Sequence, residues 1–166
     1  MANLLVTYEP THEKKATDEI NSLLSSVGES PTVEEGISGT FFVTVKNPKQ
    51  AVRKLSKAFE DDPEQFSYTK RWVPADKWCS SKTKDMMQVI REIDSKMDPK
   101  KSWKMEVHKR GAEKSSIDII KELTEGINKP NVDLKKPDVI VSVEIIGDRA
   151  ALSLLGRGEW LNAARK

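Results

Sequence analysis

The chain has little with which to run acid–base or metal chemistry. It holds one cysteine, Cys79, and two histidines, His12 and His108, among 166 residues. A single cysteine excludes an internal disulfide and fits a reducing compartment, so a cytoplasmic location is expected. A zinc site needs a cluster of ligands that the sequence does not supply. His12-Glu13 has no second histidine at helical spacing, which excludes a metalloprotease helix. There is no GxGxxG and no GxxxxGK[ST], so the usual nucleotide cradles are missing. No apolar run is long enough to cross a bilayer. The start, MANLLVTYEP, lacks the basic region and long apolar stretch of a signal peptide. These absences predict a protein with no cofactor, no metal and no membrane partner, and one that is not an enzyme.

Charge is what the chain has in quantity. Asp, Glu, Lys and Arg make up 33% of it, yet the formal net charge is only +2. The distribution is uneven. Residues 1–62 hold 7 Lys/Arg against 10 Asp/Glu, a net of −3. The window 70–114 holds 13 basic and 7 acidic residues, a net of +6. A basic middle suits a polyanionic partner, although a solvated lysine-rich surface has the same composition.

Periodicity divides the chain into two halves of different rhythm. In the first, NLLVTY reads as a strand, and Ala16, Ile20, Leu23, Leu24 and Val27 recur at helical spacing up to Gly28. PTVEEG and GTFFVTVK read as a hairpin around Gly36-Ile37-Ser38-Gly39. Asn47-Pro48 opens a helix with Asn47 as its cap, and QFSYTKRWV returns as a strand. The order β-α-β-β-α-β is the ferredoxin-like pattern. In the second half, Met86, Val89, Ile90, Ile93 and Met97 mark a helix stopped at Asp98-Pro99. SWKMEVHK is a strand, and Ser115 or Ser116 caps a helix with Ile120, Leu123 and Ile127 inward. DVIVSVEII is a buried strand, turned at Gly147-Asp148 into RAALSLL. The join near Pro74 is short, which predicts close packing of the two halves.

The segment His108-Lys109-Arg110-Gly111 stands between a strand and a helix. Free amides and the dipole at a helix start favour an anion, which Arg110 can hold in bidentate fashion and Lys109 as a point charge. A plain polar loop is the alternative. Lys70-Arg71-Trp72 is a second basic cluster, with Trp72 read as core. Lys82, Lys84, Lys104, Lys135, Lys136 and Arg149 extend a basic surface if they share a face, which spacing alone does not decide.

NVDLKKPDVIVSVEIIGDRAALSLL, with its approach Val132-Asp133-Leu134, its Pro137-Asp138 strand entry and its two apolar strands, resembles the C-terminal half of a THUMP domain. WKMEVHKRGAEKSSIDIIKELTEGI before it is similar to the preceding part of that domain, so the resemblance covers roughly 66–160. THUMP domains are the RNA-binding modules of tRNA-modifying enzymes. The resemblance implies an α+β protein, with an N-terminal ferredoxin-like domain at 1–65 packed on a THUMP-like α/β domain at 66–160, and a tail at 161–166. It implies tRNA as partner, held at the acceptor stem and 3′ end by cations such as those named above. It further implies an adaptor, without catalysis of its own, that presents tRNA to a modification enzyme such as a tRNA cytidine acetyltransferase. Two rivals stay open: a subunit contributing to a tRNA-modifying active site, and a ferredoxin-like module that binds a small ligand.

Overall fold

A computed structural model describes residues 2–37, 39–110 and 116–165. In chain order the elements are β1 (Leu4–Tyr8), α1 (Glu13–Ser26), β2 (Thr32–Glu35), β3 (Thr40–Thr44), α2 (Pro48–Asp61), β4 (Thr69–Pro74), β5 (Lys77–Ser80), α3 (Thr83–Lys96), β6 (Trp103–Arg110), α4 (Ser116–Thr124), β7 (Val139–Ile146), β8 (Arg149–Gly156) and β9 (Leu161–Asn162). The protein is thus a mixed α+β chain with two sheets and, among the described residues, four α-helices. It falls into two compact units, Met1–Ala75 with Gly158–Lys166, and Asp76–Arg157.

The first unit is an antiparallel sheet of order β2-β3-β1-β4-β9. Alternation puts Leu4, Val6 and Tyr8 of β1 on one face beside Phe41 and Val43 of β3. The apolar stripes of α1 (Ala16, Ile20, Leu23, Leu24) and α2 (Ala51, Val52, Leu55) close that core. The expected hairpin is present, and Gly39 takes a φ of 85°, which favours glycine. Ser38, the third residue of that turn, lies outside the described residues.

Three local expectations change. Asn47 makes no side-chain cap hydrogen bond. Glu29 takes over the start of α2, its two carboxylate oxygens accepting from the amides of Lys46 and Asn47. The strand at 69–74 pairs with β1 and closes the first sheet, as the β-α-β-β-α-β order expects, so the boundary drawn at 65/66 falls inside the first unit, which runs to Ala75. The segment 161–166, read as a tail, supplies β9: Leu161 pairs with Trp72 and Asn162 with Arg71, and Leu161 and Ala163 are buried. Two residues carry too little pattern to read as a strand, and only the waiting edge of β4 makes them one.

The second unit is a sheet of order β5-β8-β7-β6. β6 and β7 are parallel, joined through α4, and the other pairs are antiparallel. Trp103, Met105 and Val107 of β6 and Val141, Val143 and Ile145 of β7 face α3 and α4 and form the core with Val89, Ile90, Ile93 and Leu123. Within α4 it is Ile119 that is buried, with Ile120 packed at the edge, and Ile127 belongs to the core from beyond the helix end. Two contacts bind the helices together. A Cβ on Gly126 would meet Met87 Sδ at 2.5 Å and Ile90 Cγ2 at 2.8 Å, so the turn after α4 sits against α3 with room only for glycine. Asp94, near the end of α3, accepts from the Asn128 amide at 2.9 Å and from Lys129 Nζ at 2.8 Å. β5 went unread in the sequence, because KWCS is short and shows no clean alternation.

Candidate nucleic-acid interface

The register of the second sheet places the predicted cations. Arg110 pairs with Ile146, Ile146 with Arg149, and Arg149 with Ser80, so these four residues form one row at one end of the sheet. Ser81 and Lys82 follow immediately, and α3 begins at Thr83 with Lys82 as its N-cap and Lys84 in its first turn. α4 also begins at this end, at Ser116, because it follows the end of β6. The sheet therefore brings Lys82, Lys84, Lys109, Arg110 and Arg149 to the end where two helices start, Lys109 on the helix-covered face and Arg110 and Arg149 on the opposite one. Partial positive charge at helix starts adds to the formal charges there.

Polar bonds brace this end. The Gly147 amide donates to the Arg110 carbonyl at 2.8 Å, and Ser81 Oγ donates to the Gly147 carbonyl at 3.0 Å. Ser80 Oγ donates to Asp85 and accepts from the Lys82 amide. The Arg149 guanidinium lies over the half-buried Trp78 ring, 5.1 Å from its centroid. Ser80, Ser81 and Trp78 belong to this neighbourhood and were missed in sequence. The run WCSSKTK held the signal, serines and lysines directly before a helix, but it became legible only once β5 was known to pair with β8.

Strand alternation splits the HKRG cluster. His108 and Arg110 share one face of β6, and Lys109 takes the helix-covered face with Val107. His108 is also engaged: its Nε2 lies 3.3 Å from Glu106 Oε1, while Lys104 Nζ lies 3.1 Å from Glu106 Oε2. The His108 contact, followed by Lys104, holds the Glu106 carboxyl down at about 2, against the burial that would raise it. Lys104 and His108 are thus bound first to a carboxylate. Gly111 and Ser115 lie outside the described residues, as does the loop that contains them.

The remaining predicted cations lie elsewhere. Lys135 and Lys136 are at the other end of the second unit, before β7. Lys70 and Arg71 are on β4 of the first unit, where Lys70 pairs with Glu9 at 2.9 Å and the Arg71 amide donates to Thr7 Oγ1 at 3.0 Å. Trp72 is fully buried, as expected, its Nε1 donating to Thr69 Oγ1 at 3.2 Å. Cys79 sits against the second core. Burial pushes its thiol up, aided by Asp85, which disfavours a reactive thiolate.

Residues 80–155 match the THUMP domain family. The fold recurs in larger solved chains. PH1313 from Pyrococcus horikoshii Ot3 is 17% identical with a TM-score of 0.64, over 94% of this chain and 55% of that one. TrmN from Thermus thermophilus is 18% identical with a TM-score of 0.60, over 93% and 45%. A 4-thiouridine synthetase in complex with RNA and bound ATP is 14% identical with a TM-score of 0.53, over 98% and 42%. A comparison with curated proteins gave no match. The chain spans about half the length of the solved chains it resembles. These likenesses correct the expectation that the protein stands outside the enzymes. The same fold recurs in a synthetase and in a possible methylase from Clostridium difficile 630, so a lack of catalytic clusters in these residues does not separate the chain from enzymes. Among the described residues, no helix is long and apolar enough to cross a membrane.

Proposed function

We propose that the chain is the tRNA-binding part of a tRNA-modifying enzyme, working in the cytoplasm. It holds the acceptor stem and 3′ end of tRNA at the cationic end of the second unit and presents the substrate to a catalytic unit. The observation that carries this reading is a coincidence of two facts. The unit matched by the THUMP family is the one whose sheet brings Lys82, Lys84 and Lys109 to the end where two helices start, with Arg110 and Arg149 on the other face of that same end. Arg110 and Arg149 engage phosphate oxygens, while the lysines neutralise neighbouring phosphates. Likeness to a synthetase crystallised with RNA supports the same partner class. The first unit reads as ferredoxin-like, supported by its β-α-β-β-α-β order and the sheet order β2-β3-β1-β4. Cytidine acetylation is the reaction the sequence resemblance favours for the catalytic unit, with thiolation and methylation as competing chemistries.

The test is a gel shift of the pure protein with total tRNA, with duplex DNA as competitor, alongside nucleoside analysis of tRNA from cells lacking the chain. Binding that duplex DNA does not displace, together with loss of one modified nucleoside, is expected. Equal affinity for duplex DNA, or an unchanged nucleoside profile, overturns the reading.

A further inference from the structure

The loop 129–138 lies at the end of the second unit opposite the cationic row, across the eight residues of β6. That strand spans roughly 25 Å at its usual rise per residue. The loop is tied down along its length. Trp103 Nε1 donates to the carbonyls of Lys129 and Pro130 at 3.2 and 3.0 Å, and the Trp103 amide donates to the Asn131 carbonyl at 3.1 Å. The Asp133 amide donates to the Trp103 carbonyl at 2.9 Å. Asn131 takes a left-handed φ of 65° while its Nδ2 donates to the Pro99 carbonyl. Asp133 accepts from the amides of Lys136 and Lys135, which hold its carboxyl below the usual range. Arg157 pairs with Asp138 and donates to the carbonyls of Lys136 and Pro137.

A loop held this firmly nevertheless presents Val132 at 59% and Leu134 at 73% exposure. Neither side chain serves the core below, and both stay in water at a cost in apolar hydration. A fixed backbone offers them to a partner with little ordering entropy left to lose. Lys135 and Lys136 follow Leu134 with exposed side chains, and Lys100 and Lys101, also exposed, follow Pro99, whose carbonyl the loop's Asn131 holds. We propose that this loop docks a protein partner: Leu134 and Val132 enter an apolar recess whose rim carries carboxylates that meet the lysines. Apolar centre and charged rim are the anatomy of a protein interface. RNA fits the surface less well, because valine and leucine offer no stacking plane and no donor to a base. Placed opposite the cationic row, the loop leaves tRNA free to bind at the same time. The inference rests on the reading above, since the partner is the catalytic unit of that modification.

The test replaces the chain in cells by Leu134→Glu or Leu134→Met, with gel shift and thermal melting of each purified full-length variant. Leu134→Glu is expected to keep its melting temperature and to bind tRNA within about twofold of wild type, because the site is exposed and remote from the cationic row. The modified nucleoside should fall at least about tenfold, as loss of an interface anchor worth over 1.4 kcal/mol requires. Leu134→Met should retain it. Wild-type nucleoside content with Leu134→Glu overturns the inference. So does a tenfold loss of tRNA affinity, which makes the loop an RNA contact, or a lowered melting temperature, which makes Leu134 a packing residue. If deleting the whole chain leaves the nucleosides unchanged, the functional reading fails and takes this inference with it.

Discussion

Arg110 and Arg149 stand in one row of the second sheet, each the register partner of Ile146. They come from strands 39 residues apart in sequence, and β7 holds them at a fixed separation on a shared face. A pair of guanidinium groups on a rigid sheet can meet two phosphates without the entropy cost of ordering a loop.

Arg110→Ala and Arg149→Ala are each expected to weaken tRNA binding by about 1–3 kcal/mol, the size of one charge-assisted contact. Arg110→Lys should also lose affinity, because a point charge does not replace the fork. Lys49→Ala, on α2 of the first unit, should cost much less. Gel shifts with melting controls decide it, and a larger loss at Lys49 than at Arg110 moves the RNA to the other unit.

Binding should weaken with salt. Each phosphate neutralised contributes a log–log slope of about −0.7 to −0.9, depending on strandedness. Removing Arg110 should flatten the slope by roughly one contact. Titration of tRNA affinity between low and moderate salt measures it, and a flat response excludes the cationic row as the contact.

Acid should weaken the second unit through Glu106. Its carboxyl is held at about 2, chiefly by the His108 contact and then by Lys104, below an ordinary value of 4.5. A depressed folded-state value means that the stabilisation is fully present above 4.5 and is lost as pH falls from there towards 2. His108→Ala should raise the Glu106 value toward the ordinary one and shrink that acid-sensitive component. A carboxyl titration by NMR, before and after the substitution, reads both effects.

Gly126→Val should destabilise the second unit by about 1–3 kcal/mol, the usual cost of overpacking. Its side chain would have to displace Met87 and the fully buried Ile90. Gly126→Ala should cost less, because the long Met87 side chain can move. Chemical denaturation of both variants gives the order.

Leu161→Ala should cost the first unit about 2–5 kcal/mol, as for other buried leucines. The segment 161–166 reads as a tail in the sequence, but Leu161 is buried and pairs with Trp72. A melting temperature equal to wild type would show that β9 adds nothing.

The sequence by itself determined the elements whose side chains repeat over several turns or residues. The stripes of α1, α2 and α3, the strand formers of β1, the alternation of β6 and the continuous apolar run of β7 were legible because each is a local pattern of residue types. The resemblance at Val132–Leu155 was legible for the same reason, as a spaced run of residue types, and it pointed to the family that matches 80–155. Only the tertiary structure decided what depends on pairing between distant strands. β5 and β9 are too short to declare themselves, and each exists because an edge of β8 or β4 was open to it. The cations were named from sequence as two clusters and a scattered set whose common face spacing did not decide. The sheet register divided them, bringing Arg149 to Arg110, sending Lys135 and Lys136 to the opposite end, and leaving Lys70 and Arg71 in another unit. His108 and Lys109 are neighbours in the chain but lie on opposite faces of β6, because a strand turns successive side chains in opposite directions.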